Sequence, residues 1–196
     1  MDYLVKEFKA ESVEYKDLET PKDREGKKRL LRSLMNIRMP KDMDENIIKI
    51  QDEYLAARAE EKGIISLSDI PVMKGCISIW QGDITRLAVD AVVNAANSKM
   101  LGCLIPLHAC IDNCIHTCAG IRLRAVCDSI MKKQGHEEPV GQAKITPAFN
   151  LPCKFVLHTV GPIVDGPLTQ TDCDLLSSCY TSCLDAAQAH GISSIA

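Results

Sequence analysis

Apolar positions recur at helical spacing in the first third of the chain and in short strand-like runs after it. Thr20-Pro21-Lys22-Asp23 predicts an N-cap, a proline at the first helical position and an acid at the third. Leu30, Leu31, Leu34 and Met35 follow on one face, Arg38 can lay its stem along that face, and Pro40 ends the helix. Asp42 with Glu45 has the form of a capping box for a second helix. Ile47, Ile50, Tyr54 and Leu55 give that helix its stripe, and Gly63 stops it. Residues 1–70 thus read as a helical extension of two helices, packed through these stripes on the rest of the chain, 71–196.

From Cys76 the period changes. Cys76–Gln81 predicts a short strand, and Ala91–Asn94 an apolar strand of the parallel-sheet type. Ile111, Ile115, Ala119, Leu123, Val126 and Ile130 predict one helix, ended by Gly135. Two strands, Ala143–Phe149 and Phe155–Val160, flank an Asn-Leu-Pro turn; a helix from Asp174 to His190 follows, with Leu175, Leu176, Cys179, Cys183 and Ala186 on one face and Gly191 as its stop. Strands alternating with helices predict an α/β fold with helices on both faces of the sheet. A last strand opens at Ile192, so the domain is expected to continue past Ala196 and to lack its C-terminal part here.

The formal net charge of -3 gives no basic surface for nucleic acid or membrane, so an anionic ligand would rest on backbone amides and a helix dipole. Asp2, Lys6, Glu7 and Lys9 make the first ten residues unlike a secretory signal, and no run is long and apolar enough to span a bilayer; a cytoplasmic setting is expected. Ten cysteines in a chain of this size and setting read as reduced thiols, some in the core and some on a metal.

Candidate chemistry concentrates between Gly82 and Leu123. Cys103, His108 and Cys110 offer thiolate and imidazole ligands; three protein ligands would leave a fourth zinc position for water or substrate. The alternative is two small core cysteines and a surface histidine. Cys114 or Cys118 as a fourth ligand would close the site. Asn94, Asn97 and Ser98 end an apolar strand, where an amide can grip a sugar hydroxyl or simply form a turn. Asp112 can orient a water or a substrate hydroxyl, or cap its helix; Asp83 can accept from the amino group of a base, or close a turn. His158 reads as a core residue, as does His116, which could also face the site; His136 and His190 read as loop and helix-end residues.

Gly-Asp-Ile-Thr at 82–85, then Asp-Ala-Val-Val-Asn-Ala-Ala-Asn-Ser at 90–98, resembles the opening of a macrodomain, the ADP-ribose-binding α/β module. Ile111-Asp112-Asn113, Ile115-His116, Ala119-Gly120, Gly141 to Pro147, Leu151-Pro152 and His158 to Pro162 continue the likeness over roughly 75–196. Where the ordinary family has a run of glycines, this chain has Gly102 to Cys110, which is similar to the zinc-containing microbial branch of protein-ADP-ribose hydrolases with a helical N-terminal extension. The resemblance implies a three-layer α/β/α sandwich on a mixed sheet and one Zn2+ on Cys103, His108 and Cys110. It also implies a mono-ADP-ribosylated protein as substrate, such as a microbial carrier protein modified by a sirtuin-type transferase. Asp83 would meet the adenine with Ile84 beside it. Asn97 would meet the distal ribose and Asp112 lie near the scissile bond, with Asn94 and Ser98 lining the site. A non-catalytic ADP-ribose reader with structural zinc is the rival, and a thiol-based redox or metal sensor a second.

Overall fold

The computed structural model describes residues 1–196. Three helices, not two, precede the first strands: α1 (Asp2–Ala10), α2 (Arg24–Ile37) and α3 (Glu45–Lys62). Helix α1 is too short for a periodic signal and has no side-chain cap; it forms because Leu4, Val5 and Phe8 bury against Leu31, Leu34 and Met35. The α2 cap is Asp23, which accepts from the Gly26 N–H at 2.8 Å, so Pro21 stays outside the helix. The α3 cap is Asp44 rather than Asp42, accepting from Asn46 N at 2.8 Å, and Gly63 ends the helix as expected. Leu55 of α3 and Ile121 join the same apolar cluster, which fastens the three helices to the rest of the chain.

The short strands β1 (Ile65–Ser66) and β4 (Leu87–Ala88) pair in parallel, and β2 (Val72–Lys74) pairs with β3 (Ile77–Ser78) in a hairpin, so only part of the expected strand at 76–81 is extended. The central sheet has the order β5 (Ala91–Ala95), β7 (Phe155–Thr159), β6 (Ala143–Pro147). β5 and β7 are parallel, β6 is antiparallel to β7, and the segment 194–196 runs beside β5, with Ala91 N bonded to Ser194 O and Val93 N to Ala196 O. The sheet is therefore mixed.

Period-two alternation divides its two faces. Val92 and Val156 bury against Ile115 and Leu123 of α4 (Ile111–Ala119) and α5 (Ile121–Gln134). Ala91 and Leu157 face the other way, onto Cys183 and Ala187 of α6 (Gln170–Ala189). Helix α6 starts a turn before the expected Asp174, because Thr169 and Asp172 form a capping box. The single helix expected from Ile111 to Ile130 is two. Gly120 breaks it at φ 92°, ψ 177°, a conformation essentially reserved for glycine, and buried Gln51 of α3 accepts the Ile121 N–H that the break frees, at 3.1 Å.

Candidate functional site

The C-terminal end of β5 and the N-terminus of α4 meet at Asp112. Its carboxylate accepts from Asn94 Nδ2 at 2.8 Å on one oxygen and from Asn97 Nδ2 at 3.2 Å on the other. Burial raises its pKa, against the pull of the Asn94 amide, the Arg124 charge and the Asn97 amide. In the first turn of α4 its charge also suits the helix dipole.

Asn94, expected to touch ligand, is fully buried and touches protein instead. Its Nδ2 hydrogens go to Asp112 and to His158 Nδ1, 3.1 Å away. His158 must then accept at Nδ1 and carry its proton on Nε2, which lies 2.9 Å from Thr146 Oγ1. Burial holds His158 neutral, with its pKa pushed down to about 4. A chain of partners thus runs from β6 through β7 and β5 to the carboxylate on α4. His116 is buried beside it, its Nε2 3.6 Å from Asp112 Oδ1, and burial drives its pKa well below the usual value. Gly102 (φ 77°) makes room for that ring: a Cβ there would come within 2.8 Å of His116 Cγ.

Asn97 is exposed; its Nδ2 also donates to Gly102 O at 3.1 Å and its Oδ1 accepts from Lys99 N at 3.0 Å. Ser98 turns away, donating to Glu137 at 2.6 Å. Asp83 and Ile84 stand apart from this network. Asp83 caps a short turn, accepting from Thr85 N and Oγ1, and its other oxygen takes Lys62 Nζ of α3 at 3.1 Å. Ile84 lines an apolar cavity of about 660 Å³ with Trp80, Val89 and Ile195.

Cys103, His108 and Cys110 converge, their candidate ligand atoms all within 4.8 Å of one another and Cys103 Sγ 3.3 Å from His108 Nδ1. Two sulfurs and a ring nitrogen at that separation are a zinc-type donor set, since Zn–S bonds of about 2.3 Å and Zn–N bonds of about 2.0 Å at tetrahedral angles put the donor atoms roughly 3.5–3.8 Å apart. Cys110 is the N-cap of α4, its sulfur accepting from Asn113 N at 3.4 Å. Cys114 and Cys118 lie outside the group, their sulfurs beside Arg32 and Lys62. His116, Cys127 and His158 also cluster, but both ring nitrogens of His158 already hold protein partners, and burial pushes the Cys127 thiol up to about 12; these three are core.

The sequence pattern did not single out Arg32, Asn36, Asn113 or Lys62, which contact these residues from the extension and from α4. Only Asn113, next to Asp112 in the motif, carried a local signal.

A mixed sheet between helices, with an amide-held acid at the end of β5, defines an α/β binding module. A Macro domain model matches residues 93–196, and the chain belongs to that family. It is 54% identical to the protein-ADP-ribose hydrolase of Treponema medium, over 99% of this chain and 76% of that one. The protein of the same name from Staphylococcus aureus strain MSSA476 is 40% identical over 100% of this chain and 74% of its own. The Oceanobacillus iheyensis macrodomain with ADP superposes with a TM-score of 0.51 at 36% identity, over 58% of each chain.

Proposed function

We propose that this chain is a zinc-dependent hydrolase that removes mono-ADP-ribose from modified protein side chains. The observation that carries the reading is one of position. The thiol and imidazole cluster and the amide-held Asp112 share one loop and helix start, linked by Asn97, which bonds both Gly102 O and Asp112. The names of the two relatives, similar over nearly the whole chain, support the hydrolysis of protein-linked ADP-ribose.

In this reading the adenine lies toward Asp83 and Ile84. Asp83 accepts from its amino group with the oxygen it shares with Lys62. Asn97, exposed at the end of β5, meets the distal ribose with the amide oxygen that also accepts from Lys99 N. Asp112 accepts from a ribose hydroxyl, and its raised pKa suits it to hold a proton as the bond to the protein breaks. Asn94, backed by His158 and Thr146, keeps the carboxylate aimed. Cys103, His108 and Cys110 would hold zinc, which when bound supplies Lewis-acid stabilisation at the distal-ribose end.

The test is release of ADP-ribose from a mono-ADP-ribosylated protein, a modified carrier protein first, by Cys103→Ala and His108→Ala, with ADP-ribose affinity measured in parallel. Turnover should fall by several kcal/mol of barrier, on the order expected of a lost electrostatic stabiliser, while affinity changes far less. Unchanged turnover in both variants would remove zinc from the mechanism, and no turnover in the parent protein would leave a binding module with structural zinc.

A further inference from the structure

A buried polar seam joins the helical extension to the loop that carries the thiols and the imidazole. Asn36 on α2 is 1% exposed. Its Oδ1 accepts the Leu107 N–H at 3.0 Å and its Nδ2 donates to Thr117 Oγ1 on α4 at 2.8 Å. Leu107 immediately precedes His108 and sits at φ 59°, where a branched side chain is strained. One turn earlier on α2, Arg32 donates to the His108 carbonyl at 2.8 Å and to Asn113 Oδ1 at 2.9 Å. Asn113, fully buried, donates to Cys103 O at 3.2 Å and Ile105 O at 2.9 Å.

The loop buries no apolar side chain fully to replace these bonds: Leu104 and Ile105 are 38% and 59% exposed, and Leu107 is only half-buried. Its shape between Cys103 and Cys110 is therefore set by polar contacts to its backbone, two of them from the extension. A loop left free would have to be ordered by the metal, and that ordering would weaken binding. Held in place by folding, it presents its ligands at no such cost.

We infer that Arg32 and Asn36 are positioning residues for the metal ligands, so that the helical extension is an outer part of the metal centre. This rests on the assignment of Cys103, His108 and Cys110 as zinc ligands. Loss of a group that orients ligands from behind lowers metal affinity by about 10–100-fold.

The experiment uses the full chain with Asn36→Leu and Arg32→Gln, and Ser33→Ala on the same helix as control. Two quantities are read: hydrogen exchange over 103–110 in zinc-free protein, and zinc affinity by competition with a chromophoric chelator. Both test variants should exchange faster and bind zinc about 10–100-fold more weakly, with the control unchanged. Adding Leu107→Gly to Asn36→Leu should recover part of the lost affinity, since glycine takes φ 59° without strain. A general loss of structure would instead speed exchange outside 103–110 as well. If Asn36→Leu fails to fold, the half-buried Arg32 carries the test through its own variant. Parent-like exchange or parent-like zinc affinity in the variants would overturn the inference while leaving the ligands in place. A parent protein that takes up no zinc would overturn the ligand assignment and the inference with it.

Discussion

Asp83 serves the fold and the proposed site with one side chain. Its Oδ1 caps the turn that carries Ile84, and its Oδ2 is the oxygen paired with Lys62 near the expected adenine. Asp83→Ala should cost about 1 kcal/mol of stability through the lost cap and weaken ADP-ribose binding by about 1–3 kcal/mol, with zinc content unchanged. Calorimetry and elemental analysis check this, and equal ADP-ribose affinity in variant and parent would refute the adenine contact. Asn94 is the opposite case, a residue with no exposed surface that supports a neighbour. Asn94→Ala leaves Asp112 Oδ1 and His158 Nδ1 buried without their donor. It should lower thermal stability by about 1–3 kcal/mol as well as turnover, whereas Asn97→Ala, at an exposed position, should affect turnover with little change in melting.

Among the elements, the junction of α4 and α5 binds the extension to the sheet layer. At Gly120 both the backbone conformation and the space exclude a side chain: a Cβ would lie 2.8 Å from Gln51 Nε2 and 3.0 Å from Leu55 Cδ1, both on α3. Gly120→Ala should therefore destabilise by about 1–3 kcal/mol from backbone strain alone, and more if α3 is displaced. Chemical denaturation gives the magnitude. Faster hydrogen exchange in α3 would locate the displacement, and parent-like stability would show that the break tolerates a side chain. Arg124 of α5 reinforces the same joint, donating to Met35 O and Arg38 O at the end of α2.

For the molecule as a whole, two buried histidines make stability depend on pH. His158 and His116 are both held neutral by burial, with folded pKa values below the usual 6.5. The unfolded chain takes up protons there first, so their contribution is complete above about pH 6.5 and is lost as pH falls toward the His158 value of about 4. Asp112, raised by burial, works the other way at the acid end, where the folded form takes up a proton before the unfolded chain does. The free energy of unfolding should thus drop between about pH 7 and about pH 5, before ordinary carboxylates titrate. A flat profile over that interval would contradict neutral burial of the pair. No helix is long and apolar enough to cross a membrane.

The sequence by itself determined those features that neighbours along the chain decide. The stops at Gly63 and Gly135, the apolar strand at Ala91, and the mixing of strands with helices come from spacing and turn chemistry, which act over a few residues. The Cys103, His108, Cys110 group was legible because its members are close in sequence and need only a tight loop to meet. The tertiary structure alone decided that Asn94 looks inward to His158, 64 residues away, and that Arg32 reaches Asn113 across 81. It also decided that one apolar period from Ile111 to Ile130 is cut at Gly120, because Gln51 is there to satisfy the freed N–H. Such contacts depend on which surfaces pack together. A buried amide or guanidinium takes its place from the partners that packing supplies, and no local pattern records them.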